Sequence, residues 1–232
     1  MSYGGITFAH VLNFQIRIML GDQQYQRCMK ARKQKEILVA CLRLGWNDAF
    51  RHTSKNQDGI KESEKETIIL KVCESVIDEF CEYAKKTTTK DRIQYIEMLF
   101  SSNKFKQKFE KIKVIDELQS DKALCFGHIQ KMFNMAIKLF LCLKICAEKA
   151  EEMNLDIELN PALFKTDFAL DTADCPIDSI ILSKLDACRK IKWSKIGHKN
   201  HPSSEYEIAQ TAIQKELNDI SKSNLCYDFE NW

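Results

Sequence analysis

Residues 121–151 read DKALCFGHIQKMFNMAIKLFLCLKICAEKAE. This stretch carries the strongest helical signal in the chain, a continuous apolar face at the helical period, with Gly127 near its start. Its most apolar part, residues 132–146, contains Lys138 and Lys144 and is too short to cross a bilayer. The stretch predicts a long core helix, around which the rest of the chain can be read.

Outward from it, the same period predicts helices over residues 23–50, 66–85, 179–190 and 205–221. Asp91 is placed to cap a short helix running to Phe100. Residues 51–65 are polar and read as a loop. Residues 101–113 carry five lysines around Phe105 and Phe109, a pattern that suits a solvated face over two core phenylalanines. Residues 153–173 read as irregular, with a turn at Asn160-Pro161, and residues 193–204 as a basic loop. Only 7 Gly and 3 Pro serve 232 residues, too few for the many turns of a sandwich or barrel. The expected fold is all-α, one helical domain over residues 1–232 or two lobes sharing a core.

A formal net charge of +2 excludes a strongly basic coat protein and an acidic tail, and leaves room for a local basic face. The 10 cysteines include no C-x-x-C pair. Cys142 and Cys146 are the nearest two, one helical turn apart, and no His follows at ligand spacing. The expectation is therefore no metal, no disulfide, and thiols acting as small hydrophobes in a reducing, cytoplasmic setting. Asn13, Gln15 and Arg17 interrupt the mildly apolar residues 1–20, which read as mature protein and not as a signal peptide. No membrane partner is expected.

Two short segments carry candidate chemistry. The first is Cys125-Phe126-Gly127-His128-Ile129-Gln130-Lys131, where a glycine precedes a lysine by four residues and a helix follows. The second is Cys175-Pro176-Ile177-Asp178-Ser179, where a proline leads into an aspartate at a helix start. In this order they resemble the helix–hairpin–helix DNA glycosylases. In that family a G-h-G-x-K hairpin opens a helix and a P-V-D-[TS] segment supplies an aspartate. Gly127, Lys131 and Pro176 to Ser179 match; Ile129 replaces the second hairpin glycine, and residues 149–172 stand as an insertion.

The resemblance implies two helical lobes flanking a cleft, with a hairpin-plus-helix element at 121–151 and an aspartate-bearing helix at 176–190. It implies that Lys131 and Asp178 are catalytic and that the partner is DNA, with no cofactor. The reaction implied is removal of a damaged or modified base, in repair or in defence against modified phage DNA. The oxidised-purine branch, which pairs lysine with aspartate, is the nearest likeness. Base loss develops positive charge on the sugar, which a carboxylate stabilises. A neutral lysine amine can attack the anomeric carbon.

DNA contacts are expected from Gly127, His128 and Gln130 at the hairpin. Lys184, Lys190, Lys192 and Lys195 are expected from the basic stretch that surrounds Trp193. Trp193, Phe133 and Tyr206 are the candidates to stack on an extruded base. Plainer readings run alongside. Asp178 serves as an N-cap, Lys131 as a surface lysine and His128 as a structural residue, and Gln130 and Asn134 hydrogen-bond between helices. The rival function is a non-catalytic all-α interaction protein of a bacterial defence or toxin–antitoxin system. A helical nuclease is disfavoured by the absence of R-x4-H and of carboxylates at metal spacing.

Overall fold

The apolar face at 121–151 becomes α7, Phe126–Glu152, in the computed structural model. The structure describes residues 8–50, 62–110, 124–155, 157, 159–198, 200–219 and 221–231. Ile129, Met132, Phe133, Ala136, Ile137, Phe140 and Leu143 of α7 are all buried, at the three- and four-residue steps of one helix face. Before α7 come α1 (Phe8–Met29), α2 (Gln34–Phe50), α3 (Glu62–Ser75), α4 (Ile77–Ala84), α5 (Thr89–Ser101) and α6 (Asn103–Glu110). After it come α8 (Ser179–Lys184), α9 (Ser204–Leu217) and α10 (Leu225–Asn231). Short 3-10 turns lie at Pro161–Phe164, Leu170–Thr172, Asp186–Cys188 and Trp193–Lys195. Among the described residues there is no β-strand, and the protein is all-α.

Helix α2 crosses α7 at close range. A Cβ on Gly45 would lie 2.3 Å from the Met132 carbonyl oxygen, so only glycine lets the two backbones meet there. Trp46 stacks on Phe50 at 4.2 Å and lies near-parallel to Phe109 of α6 at 6.0 Å. Phe105 and Phe109 are both core residues, as their spacing predicts. Buried apolar side chains from all ten of these helices join in one core.

Several boundaries differ from the sequence reading. Residues 23–50 form two helices, because the chain breaks between Met29 and Gln34, where the Glu36 carboxylate accepts from the backbone N–H of Arg32 and Lys33. The helix expected over 66–85 is interrupted at Val76. The cap of α5 is Thr88 and not Asp91: the Thr88 hydroxyl accepts from the Asp91 N–H at 3.1 Å and donates to its carboxylate at 2.7 Å. Helix α8 stops at Lys184, six residues short of the expected 190, and a 3-10 turn follows. Helix α9 ends at Leu217 because Asn218 takes the left-handed conformation (φ 47°), a common helix stop. Helix α10 had no counterpart in the sequence reading. Most of the loop expected at 51–65 lies outside the described residues.

All ten cysteines are unbridged. Six are buried, and Cys81, Cys142, Cys146 and Cys226 are half-buried. Burial pushes the Cys28 and Cys73 thiols up to about 12, so they behave as apolar groups. Among the described residues no helix is long and apolar enough to cross a membrane.

Candidate active site

Residues 173–178 run in an extended path with no neighbouring strand, so their backbone polar groups need other partners. Side chains supply them. The Gln210 amide of α9 accepts from the Cys175 N–H at 3.1 Å and donates to the Cys175 carbonyl at 2.7 Å. The Gln130 amide of α7 does the same for Ile177, at 3.4 Å and 3.2 Å. Asn224 holds Gln210 in turn, at 2.9 Å and 3.1 Å, and the Leu225 N–H donates to the Ala173 carbonyl at 3.1 Å. Pro176, which has no N–H, lies between the two clamped residues.

A buried polar chain fixes the other side of this segment. Tyr83 donates to Asn134 at 2.8 Å, Asn134 to Tyr206 at 2.7 Å, and Tyr206 to Asp174 at 3.0 Å. Thr89 donates to Asp174 at 2.6 Å, and Arg92 pairs with it at 3.3 Å. Burial raises the Asp174 carboxyl above its ordinary value, against the pull of Arg92.

The segment so held delivers Asp178 to α7. One Asp178 oxygen caps α8, accepting from the Ile180 and Ile181 N–H groups, both at 2.9 Å. The other faces the Lys131 ammonium at 3.4 Å. Lys131 is 5% exposed and Asp178 9%. The Lys131 nitrogen also lies 4.6 Å from the centre of the Trp193 ring, within cation–π range. Lysine, aspartate and tryptophan, 62 positions apart at the extremes (131 to 193), thus meet at one point. The capping role and the ion pair coexist, each using its own carboxylate oxygen.

Trp193 is placed by a second close crossing. A Cβ on Gly127 would lie 1.8 Å from the Trp193 carbonyl oxygen, and one on Gly197 (φ 94°) would lie 2.6 Å from Phe126 Cβ. The Gly127 N–H donates to the Ile196 carbonyl at 3.0 Å, and the Cys125 thiol to that of Ser194 at 3.2 Å. This corrects the DNA contact expected at Gly127. Gly127 sits in the first turn of α7, and the backbone that approaches it is the protein's own, at Trp193, and not a DNA phosphate.

Other candidates are also reassigned. His128 is 2% exposed, stacks on Phe50 at 5.3 Å, and has Nδ1 3.0 Å from the Cys125 sulfur. Burial drives its pKa down to about 4, so it is neutral near pH 7 and offers no charge to a phosphate. Gln130 is fully buried in the Ile177 clamp. Phe133 and Tyr206 are fully buried, and the Tyr206 hydroxyl is occupied by Asn134 and Asp174. None of these four reaches DNA or a flipped base from where it stands. Trp193, half-buried beside Lys131, keeps that possibility.

Lys184, Lys190 and Lys192 are exposed and Lys195 is half-buried. Lys184 donates to the Asn231 carbonyl, and Arg189 pairs with Asp186 at 2.6 Å. Lys199 lies outside the described residues. Among the described residues no group of His, Cys, Asp and Glu is placed to hold a metal ion. Comparisons of the chain with family models, curated proteins and solved structures return no match.

Proposed function

We propose that this protein is a DNA glycosylase of the helix–hairpin–helix type, with Lys131 and Asp178 as its catalytic pair. The observation that supports the reading is their meeting at 3.4 Å beneath Trp193, from segments 47 residues apart that resemble the family's two motifs. The rival interaction protein needs the two side chains only as a structural ion pair. In this reading a cleft between two lobes opens over the pair, and an extruded nucleotide enters with its sugar against both amine and carboxylate. The Lys131 amine, once deprotonated, forms a bond to C1′ as the bond from C1′ to the base breaks. The base leaves with the electron pair and takes up a proton, and Asp178 stabilises the positive charge on the sugar. Opening of the sugar ring then gives a Schiff base at Lys131.

A second reading is favoured by burial. Both charges are nearly sealed from water and both Asp178 oxygens are engaged, which also suits a structural ion pair in a non-catalytic all-α protein. One assay separates the two. Wild type is incubated with duplexes carrying oxidised, deaminated, alkylated and bulky modified bases, with and without borohydride. The glycosylase reading expects free base from one class and a trapped covalent complex that Lys131→Gln abolishes. Inertness across the whole panel removes it.

The basic stretch gives an independent expectation. Lys192 and Lys195 flank Trp193 and each neutralises a phosphate in this reading. Changing both to Glu should weaken DNA binding at least tenfold near 0.1 M salt and flatten the slope of log affinity against log salt by about two. Titration by fluorescence anisotropy at several salt concentrations reads both. An unchanged slope would show that these lysines do not face DNA.

A further inference from the structure

Lys131 is not the only cation on its face of α7. Lys138 lies seven residues on, two helical turns or about 10 Å along the same side. It pairs with the Asp228 carboxylate at 2.5 Å and lies 5.1 Å from the centre of the Phe229 ring. The composition of the first site is thus repeated beside it: lysine, aspartate, aromatic ring. The two are electrostatically joined, because the charges of Asp178 and Lys131 both reach Asp228.

The second set comes from α10, which is firmly attached. Leu225 and Asn224 bond to the Asp178 segment and its Gln210 clamp, Lys184 donates to the Asn231 carbonyl, and Asp228 is 1% exposed. Phe229 is nevertheless 48% exposed, although its neighbour is buried and the helix is anchored at both ends. One side of its ring is covered by Lys138, whose charge Asp228 already balances. A neutral ion pair has little attraction for phosphate. An exposed ring held at a fixed place suits the flat face of a nucleobase, which stacks on aromatic side chains irrespective of sequence.

We propose that α10 forms part of the substrate site and that Phe229 stacks on the base adjacent to the target nucleotide. This rests on the glycosylase reading above. The two sets are separated by two turns of α7, about 10 Å along the helix, and in this proposal a strand whose sugar lies at Lys131 and Asp178 continues toward Phe229. Trp193 serves the target position and Phe229 its neighbour.

The test uses the full chain and duplexes whose target position is a reduced abasic site, so that no target base is present. Each neighbouring base is then kept or deleted in turn, and affinity is read by fluorescence anisotropy. Wild type should lose about tenfold in affinity when one particular neighbour is deleted. Phe229→Ala should lose about tenfold with that neighbour present and nothing further when it is deleted. Phe229→Trp should keep the wild-type pattern. Equal losses on deletion in wild type and Phe229→Ala, or no dependence on either neighbour, would overturn the stacking role and leave the glycosylase reading standing. A wild type that binds none of these duplexes would overturn both.

Discussion

Asp178→Asn is expected to reduce base release by about a thousandfold or more while DNA binding survives, the scale on which a positioned charge acts at a reacting centre. The substitution keeps the shape, and the Asn side-chain oxygen can still accept from the Ile180 and Ile181 N–H groups, so α8 retains its cap. What disappears is the negative charge 3.4 Å from Lys131. A buried ammonium without its partner costs about 3 kcal/mol, less whatever the Trp193 ring supplies. Denaturant titration should therefore show a loss of stability of that order. The double variant Lys131→Gln, Asp178→Asn should recover most of the stability and none of the activity. That split separates chemistry from folding. Recovery of base release in the double variant, or full activity of Asp178→Asn, would end the catalytic assignment.

Gly127→Ala should be among the most damaging single substitutions in the chain, although alanine is the better helix former. The added methyl falls 1.8 Å from the Trp193 carbonyl oxygen, and no side-chain rotation relieves a backbone contact. The 193–197 stretch must move away, which breaks the Gly127 to Ile196 hydrogen bond and lifts the indole from Lys131. Such overpacking costs about 3 kcal/mol, and about 6–12 °C in Tm for a domain of this size. Gly21→Ala makes the control. Gly21 has φ 70° and ψ 158° and nothing within 4 Å of its missing Cβ, so alanine there meets no clash and costs only the backbone strain, about 1–3 kcal/mol, with the Lys131–Trp193 contact left in place. A Gly127→Ala variant that melts with the wild type would contradict the close crossing.

The parts of this fold that were legible in the sequence are those set by apolar periodicity. Helix α7 is the clearest case: it is buried on every side from Phe126 to Asn134 and along one face beyond. Sequence gave no sign of the break between α1 and α2, because it is made by the Glu36 side chain and not by glycine or proline. Helix α10 is seven residues long and mixes aromatic with acidic positions, so no period emerges. Lys138, Asp228 and Phe229 went unread with it.

The site divides along the same line. Lys131 and Asp178 were legible because local chemistry marks them, a glycine four residues before one and a proline two before the other. The structural reading of His128, and of Gln130 and Asn134 as hydrogen-bonding residues, also agrees with the structure. The burial of Tyr206 and Phe133 was not legible. An aromatic at a given position looks the same whether it faces the core or a ligand, and only packing decides.

The glutamine clamps carry a consequence for how the molecule comes together. The Asp178 segment behaves as a peptide captured in cis, bound by side-chain amides from two helices as a foreign strand is bound by a receptor. Its contacts link residues 35 and 47 positions apart, so each closes a long loop and none can form before α7 and α9 are in place. Pulse-labelled hydrogen exchange should show the amides of Cys175 and Ile177 becoming protected after those of α7, despite lying in no regular element. Protection of all of them together would mean that the segment folds with the core. If capture comes last, the lysine and the aspartate stay apart in every partly folded form of the chain, and only the finished molecule brings them together.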